Sequence, residues 1–214
     1  MRDQEFPYLS RIQDLSNVRM NQNNPNFLGF HGTSMEAIRY LAQYGTMPPS
    51  GNHGREFFFY PREGDNKTPL KDAAEYAEIN ALRYALWEQL INRDFNLEPH
   101  LICPYFGLIE MGVDCEGLSP EKEEVRQAIM RCLNIRSLKG LDRFCKEIAA
   151  TRKGVVLALG PQILELNPYV SFMEERVVTV PPEGLSIDYL VGVELMGEFE
   201  DEALGNAFIK VRSF

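Results

Sequence analysis

Strands and helices do not alternate regularly along this chain. The first half has the pattern of a short aromatic strand, a helix, a second aromatic strand and a long helix, whereas the last third contains several apolar runs typical of strands. A doubly wound parallel sheet needs a helix between most successive strands. The order of elements therefore predicts an α+β fold around a mixed or antiparallel sheet.

Local signals predict where the main elements begin and end. Thr33 and Glu36 form a capping box that predicts a helix start, and Gly45 predicts the end of that helix. A second capping box, Asp72 with Glu75, predicts the start of a long helix. The predicted strands are residues 27–31, 56–60, 101–111, 154–159, 174–180, 189–195 and 207–211.

An asparagine-rich tract at residues 21–26 contains Pro25, which breaks any helix there. Residues 1–26 are therefore predicted to form an N-terminal arm, and residues 27–214 a single domain. The arm lacks the apolar core and cleavage site of a Sec signal. This favours a cytoplasmic protein, while secretion by a signal-independent route stays open.

The chain is acidic, with 31 Asp and Glu against 22 Lys and Arg and a formal net charge of −9. Its basic residues are scattered, so nucleic acid is disfavoured as a partner. The longest apolar runs, such as residues 155–159, are far shorter than the roughly 20 residues of a membrane helix, so no membrane association is expected. The cysteines and histidines lack the spacing of metal ligands, so no metal is expected.

Three places carry residues able to do chemistry. His31 ends an apolar strand, and the following Gly32 lets a ligand approach the backbone. The aromatic strand at residues 57–60 and Tyr76 on the following helix could clamp a flat, positively charged ring, and the alanine neighbours of Tyr76 leave space for it. Glu174 and Glu175 open a late strand and point to opposite faces, so one of them can lie in a cleft and stabilise an oxocarbenium ion. Each pattern alone is more typical of ordinary structural residues.

Taken in order, these motifs resemble the ADP-ribosyltransferase superfamily, in its diphtheria-toxin and poly(ADP-ribose) polymerase-like (His-Tyr-Glu) branch. The matching segments are residues 31–33, 54–59, 74–77 and 174–180, within a resemblance that spans about residues 27–195. It implies a split β-sheet flanked by helices, with NAD as the substrate and no metal. Met173 stands where arginine-modifying members carry Glu or Gln, which argues against that branch.

The resemblance also implies which residues bind NAD. His31 would hydrogen-bond a ribose hydroxyl, and the Gly32 backbone would bind the nicotinamide carboxamide, with Thr33 as the third residue of the motif. Tyr76 would stack on the nicotinamide ring. Phe58, which stands where the family has a tyrosine, would line the other face of the ring.

Catalysis is implied for Glu175, with Glu174 as the alternative. The glutamate would bind the 2′-hydroxyl of the nicotinamide ribose and stabilise the transition state as nicotinamide leaves. The expected activity is transfer of ADP-ribose from NAD to a macromolecular acceptor, with protein favoured over nucleic acid. Two alternatives stay open: an NAD glycohydrolase toxin, and a non-catalytic binding module on the same fold.

Overall fold

The computed structural model of the chain describes residues 6–47, 55–63, 67–91, 93, 120–149, 154–170 and 175–195. The strands are β1 (Gly29–Ser34), β2 (Thr46–Met47), β3 (Glu56–Pro61), β4 (Gly154–Leu159), β5 (Tyr169–Val170), β6 (Arg176–Thr179), β7 (Leu185–Ser186) and β8 (Leu190–Leu195). The helices are α1 (Leu9–Ser16), α2 (Met35–Tyr44), α3 (Pro69–Ile91), α4 (Pro120–Cys132) and α5 (Leu138–Ala149), with short 3-10 helices at Pro161–Leu166 and Ile187–Tyr189.

The chain divides into two compact units, Met1–Asn80 with Lys153–Phe214, and Ala81–Arg152. Among the described elements, the first unit contains the eight strands, α1, α2 and the first half of α3, and the second contains α4 and α5. The sequence had grouped residues 27–214 in one domain behind an arm. Residues of that predicted arm belong to the first unit, because Ile12 and Leu15 of α1 are buried in its core.

Six strands form one sheet in the order β5-β6-β3-β1-β4-β8, and all its pairs are antiparallel. The prediction of an α+β fold is therefore confirmed, and of the two sheet types that were open the antiparallel one is found. The central strand β1 pairs with β4 along all six of its residues but with β3 only at Gly29 and Phe30. Beyond Phe30, β1 and β3 no longer pair.

The two faces of this sheet pack against different helices. Phe30 and Val156 point to the face that packs on α3, where Ala73 and Ala77 are completely buried. Leu157 and its alternate neighbours point to the other face and pack with α1 and α2. This division follows from the alternation of side chains along a strand, and it decides which residues α3 can reach.

The element boundaries differ from the predicted ones where the sheet extends. β1 continues to Ser34 because its pairing with β4 continues that far, so Thr33 is a strand residue and Ser34 is the N-cap of α2. The predicted capping box at Thr33 is therefore wrong. Gly45 ends α2 as predicted, with a left-handed φ of 71°. Helix α3 begins at Pro69, before the predicted Asp72, since proline is favoured in a first turn.

Two predicted strands, residues 101–111 and 207–211, lie outside the described residues. Among the helices of the described part, none combines the length and the apolar character needed to cross a membrane.

Candidate functional site

The side chains of Tyr60 and Glu175 meet on the α3 face of the sheet. Phe59 of β3 pairs with Arg176 of β6, and continuing this antiparallel register places Tyr60 opposite Glu175. The Tyr60 hydroxyl donates a hydrogen bond to the Glu175 carboxylate. The fold therefore holds the predicted catalytic glutamate against a phenol.

Helix α3 brings Tyr76 and Asp72 to the same place. They are four residues apart and so lie on one face of the helix. Burial is the main cause that raises the pKa of the Tyr60 phenol. The pKa is raised further by the charge of Glu175 and its hydrogen bond, and by the nearby Tyr76 and Asp72. Tyr60 consequently keeps its proton and acts as a donor at neutral pH.

His31 is held by the strand next to it. Its Nδ1 lies 2.6 Å from the carbonyl oxygen of Phe58, and its ring packs on Phe57 with 4.2 Å between ring centroids. Because a carbonyl only accepts hydrogen bonds, the proton is assigned to Nδ1, and in the neutral ring Nε2 carries the lone pair. Burial lowers the pKa of His31 to about 4, although the hydrogen bond to Phe58 acts in the opposite direction. The ring is therefore neutral at physiological pH.

His31 and the cluster of Tyr60, Tyr76 and Glu175 start from opposite faces of the sheet. Tyr60 packs on the α3 face, whereas Phe57, the ring partner of His31, belongs to the core on the other face. The pairing of β1 with β3 covers only Gly29 and Phe30, and the hydrogen bond from His31 to the Phe58 carbonyl joins the two strands just beyond it.

Gly32 has a role in packing. The sequence instead predicts that the space at this glycine admits a ligand. A Cβ atom at Gly32 would lie 2.1 Å from the Ala73 carbonyl oxygen and 2.6 Å from the Ala77 nitrogen, so the backbone of α3 occupies the space that Gly32 leaves. The Asn80 side chain also donates a hydrogen bond of 3.2 Å to the Gly32 carbonyl. The predicted space beside Ala73 and Ala77 is thus occupied by β1 at Gly32, while the role of Gly32 towards nicotinamide stays a prediction.

The remaining predicted residues have mixed outcomes. Thr33 is buried within β1, and Phe58 is half-buried in β3, where its carbonyl accepts from His31. Glu174 lies outside the described residues. Sequence reasoning considered Tyr60 only as part of the aromatic strand at residues 57–60, and it missed the contact with Glu175. A hydroxyl at the end of an aromatic strand is itself a signal, because a buried tyrosine hydroxyl needs a hydrogen-bond partner.

Within the described residues, no group of three or more His, Cys, Asp or Glu is placed to hold a metal ion. The chain matches no protein-family model, no curated protein and no solved structure. The residues that meet at Tyr60 are therefore the principal guide to what this protein does.

Proposed function

We propose that this chain is an NAD-dependent ADP-ribosyltransferase with an ADP-ribosyltransferase-like fold. The observation that supports this most is that Tyr76 and Glu175 both interact with Tyr60. The resemblance assigns the two residues separately, one to stacking on nicotinamide and the other to catalysis, and they lie far apart in the sequence. Their meeting on one face of the sheet is what a shared substrate requires.

The chemistry of the site suits cleavage of a glycosidic bond to a cationic ring. The positively charged nicotinamide stacks on the electron-rich face of Tyr76. As the bond from C1′ to the ring nitrogen breaks, its electron pair stays with nicotinamide and positive charge develops on the ribose. The Glu175 carboxylate stabilises this charge, and it accepts a hydrogen bond from the 2′-hydroxyl.

His31 would supply a second contact with the substrate, to a ribose hydroxyl. Its Nδ1–H is directed to the Phe58 carbonyl, so Nε2 is the acceptor available to a ribose hydroxyl. The low pKa of His31, about 4, keeps Nε2 unprotonated near neutral pH.

The reaction is completed by an acceptor nucleophile. The nucleophile forms a bond to C1′ and loses its proton to solvent or to a nearby base, so the products are nicotinamide, an ADP-ribosylated acceptor and one proton. A protein acceptor is favoured because the chain has a net charge of −9, which repels nucleic acid. Water as the acceptor would instead give an NAD glycohydrolase.

Nicotinamide release from labelled NAD by the purified chain tests the proposal, with and without a cell lysate. Glu175→Gln keeps the size of the side chain and removes its charge, and it should lower the release rate about 100- to 1,000-fold. Glu183→Gln is the matched control, because Glu183 is an exposed glutamate in the turn after β6. The control should keep the rate of the unmodified chain.

The products separate the alternatives. Label on a macromolecule supports the transferase, and release into water alone indicates the glycohydrolase. A chain that binds NAD without releasing nicotinamide is a binding module. A chain that neither binds NAD nor releases nicotinamide contradicts the proposal.

A further inference from the structure

We propose that Tyr60 is a positioning residue that holds the Glu175 carboxylate in its catalytic orientation. This inference rests on the proposed function, since it assigns a task to Tyr60 only where Glu175 stabilises a transition state. It adds a residue that the family resemblance does not include.

The backbone fixes Tyr60 more firmly than it fixes Glu175. Tyr60 is inside β3 and pairs directly with Phe30 of the central strand. Its ring packs with the cluster that contains Phe30, Ala73 and Ala77. Glu175 precedes the first residue of β6, so the sheet pairing begins only after it. A hydrogen bond from Tyr60, which lies within the sheet pairing, therefore restrains the Glu175 side chain, which lies just before it.

The surrounding charges show why such a restraint is needed. Asp72 acts on the same phenol as Glu175, so two carboxylates lie near Tyr60. Like charges repel one another, so a hydrogen-bond donor to Glu175 offsets part of this repulsion. The Tyr60 hydroxyl donates a hydrogen bond to the Glu175 carboxylate, which has acceptor sites for more than one donor.

The Tyr60→Phe variant removes the hydroxyl and keeps the ring. We expect kcat for nicotinamide release to fall roughly 10- to 100-fold, as for loss of one hydrogen bond to a charged group, while KM for NAD changes little. The acidic limb of the rate profile should also move to higher pH. The reason is that Glu175 loses a donor that favours its charged form, while the other titratable groups that act on position 60, Tyr76 and Asp72 of α3, are unchanged.

Tyr169→Phe is the matched control. The Tyr169 hydroxyl also donates to a glutamate, at 2.5 Å from Glu56, but this pair is exposed at the β5 edge of the sheet. The variant therefore removes a bond of the same chemical type elsewhere on the same sheet. It should keep the kcat, the KM and the pH profile of the unmodified chain.

A double-mutant cycle separates positioning from other roles of Tyr60. Because a positioning residue acts through its partner, Tyr60→Phe should cause no further loss in a Glu175→Gln chain. If Tyr60→Phe lowers the melting temperature, replacing Tyr60 by 4-aminophenylalanine returns a donor on the same ring, and it should restore most of the rate.

The outcomes distinguish this inference from the function beneath it. Normal nicotinamide release by Tyr60→Phe, with an unshifted pH profile, overturns the role of Tyr60 and leaves the proposed function intact. A further loss in the Glu175→Gln background also overturns it. If the unmodified chain releases no nicotinamide, the proposed function fails first and the role of Tyr60 fails with it.

Discussion

The Nδ1 atom of His31 lies 2.6 Å from the carbonyl oxygen of Phe58, at the point where β1 and β3 stop pairing. A strand carbonyl that leaves its ladder needs another donor, because an unsatisfied buried carbonyl costs free energy. The imidazole provides that donor. The same bond fixes the tautomer of the ring, so His31 has a structural task as well as the proposed contact with a ribose hydroxyl.

Protonation of His31 should destabilise the fold. Its pKa is about 4 in the folded chain, against an ordinary value of 6.5, so the unfolded chain binds the proton more readily between these values. The free energy of unfolding should therefore decrease as the pH falls from about 6.5 to 4, by at most about 3 kcal/mol from this group. Urea unfolding at a series of pH values measures it.

His31→Gln is the comparison for this experiment, because glutamine keeps an N–H donor and does not titrate. Carboxylates titrate alike in both proteins, so the difference between the two pH curves isolates His31. The variant should show the flatter curve. Parallel curves over pH 4–6.5 would contradict the assigned environment of the ring.

Gly32→Ala should destabilise the first unit strongly. The added Cβ would lie 2.1 Å from a backbone oxygen of α3, and backbone atoms cannot move aside as a flexible side chain can. We expect a loss of about 3 kcal/mol or more in the free energy of unfolding, measured by urea denaturation.

Gly192→Ala is the control on the same sheet. There the nearest atoms are the Sδ and Cε of Met20 at 3.3 Å, and a methionine side chain adapts easily. Its cost should be below about 1 kcal/mol. Equal losses for both variants would show that α3 does not pack on Gly32 as described.

Ile12→Ala tests whether the N-terminal segment is part of the core. Ile12 is completely buried, so its truncation should cost about 2–5 kcal/mol of unfolding free energy. Arg11→Ala, at an exposed neighbouring position, should change stability by less than about 0.5 kcal/mol. A free arm would instead give two variants of the same stability.

The sequence carried much of the fold because local patterns determine strands and helix ends. Gly45 is an example, because a glycine readily adopts the left-handed backbone that ends a helix, and α2 does end there. Thr33 is the opposite case. Its capping signal was local, but the pairing of β1 with β4 extends over six residues and keeps Thr33 in the strand. The pairing of two strands along six residues stabilises the extended backbone of Thr33 more than one side-chain cap would stabilise a helix start there.

The candidate site was predictable in its parts and not in its assembly. Tyr76 and Glu175 were predicted as site residues from motif order, and in the structure both of them interact with Tyr60. The contact of Tyr60 with Glu175 could not be predicted, because it depends on the register between β3 and β6, which are separated by more than 100 residues. The sheet face on which His31 lies could not be predicted either. It depends on how β1 packs against the helices on each side of the sheet.

The pairing of β1 has a consequence for how this protein is made. The ribosome releases the central strand long before residues 154–159, its main partner, and β3 equally long before β6. Non-local pairing of this kind slows folding, and unpaired aromatic strands are prone to aggregate meanwhile. A nascent chain that ends before residue 154 lacks β4, the strand with which β1 pairs along its whole length. Successful expression should therefore depend on chaperones or low temperature during synthesis, more than on the stability of the finished fold.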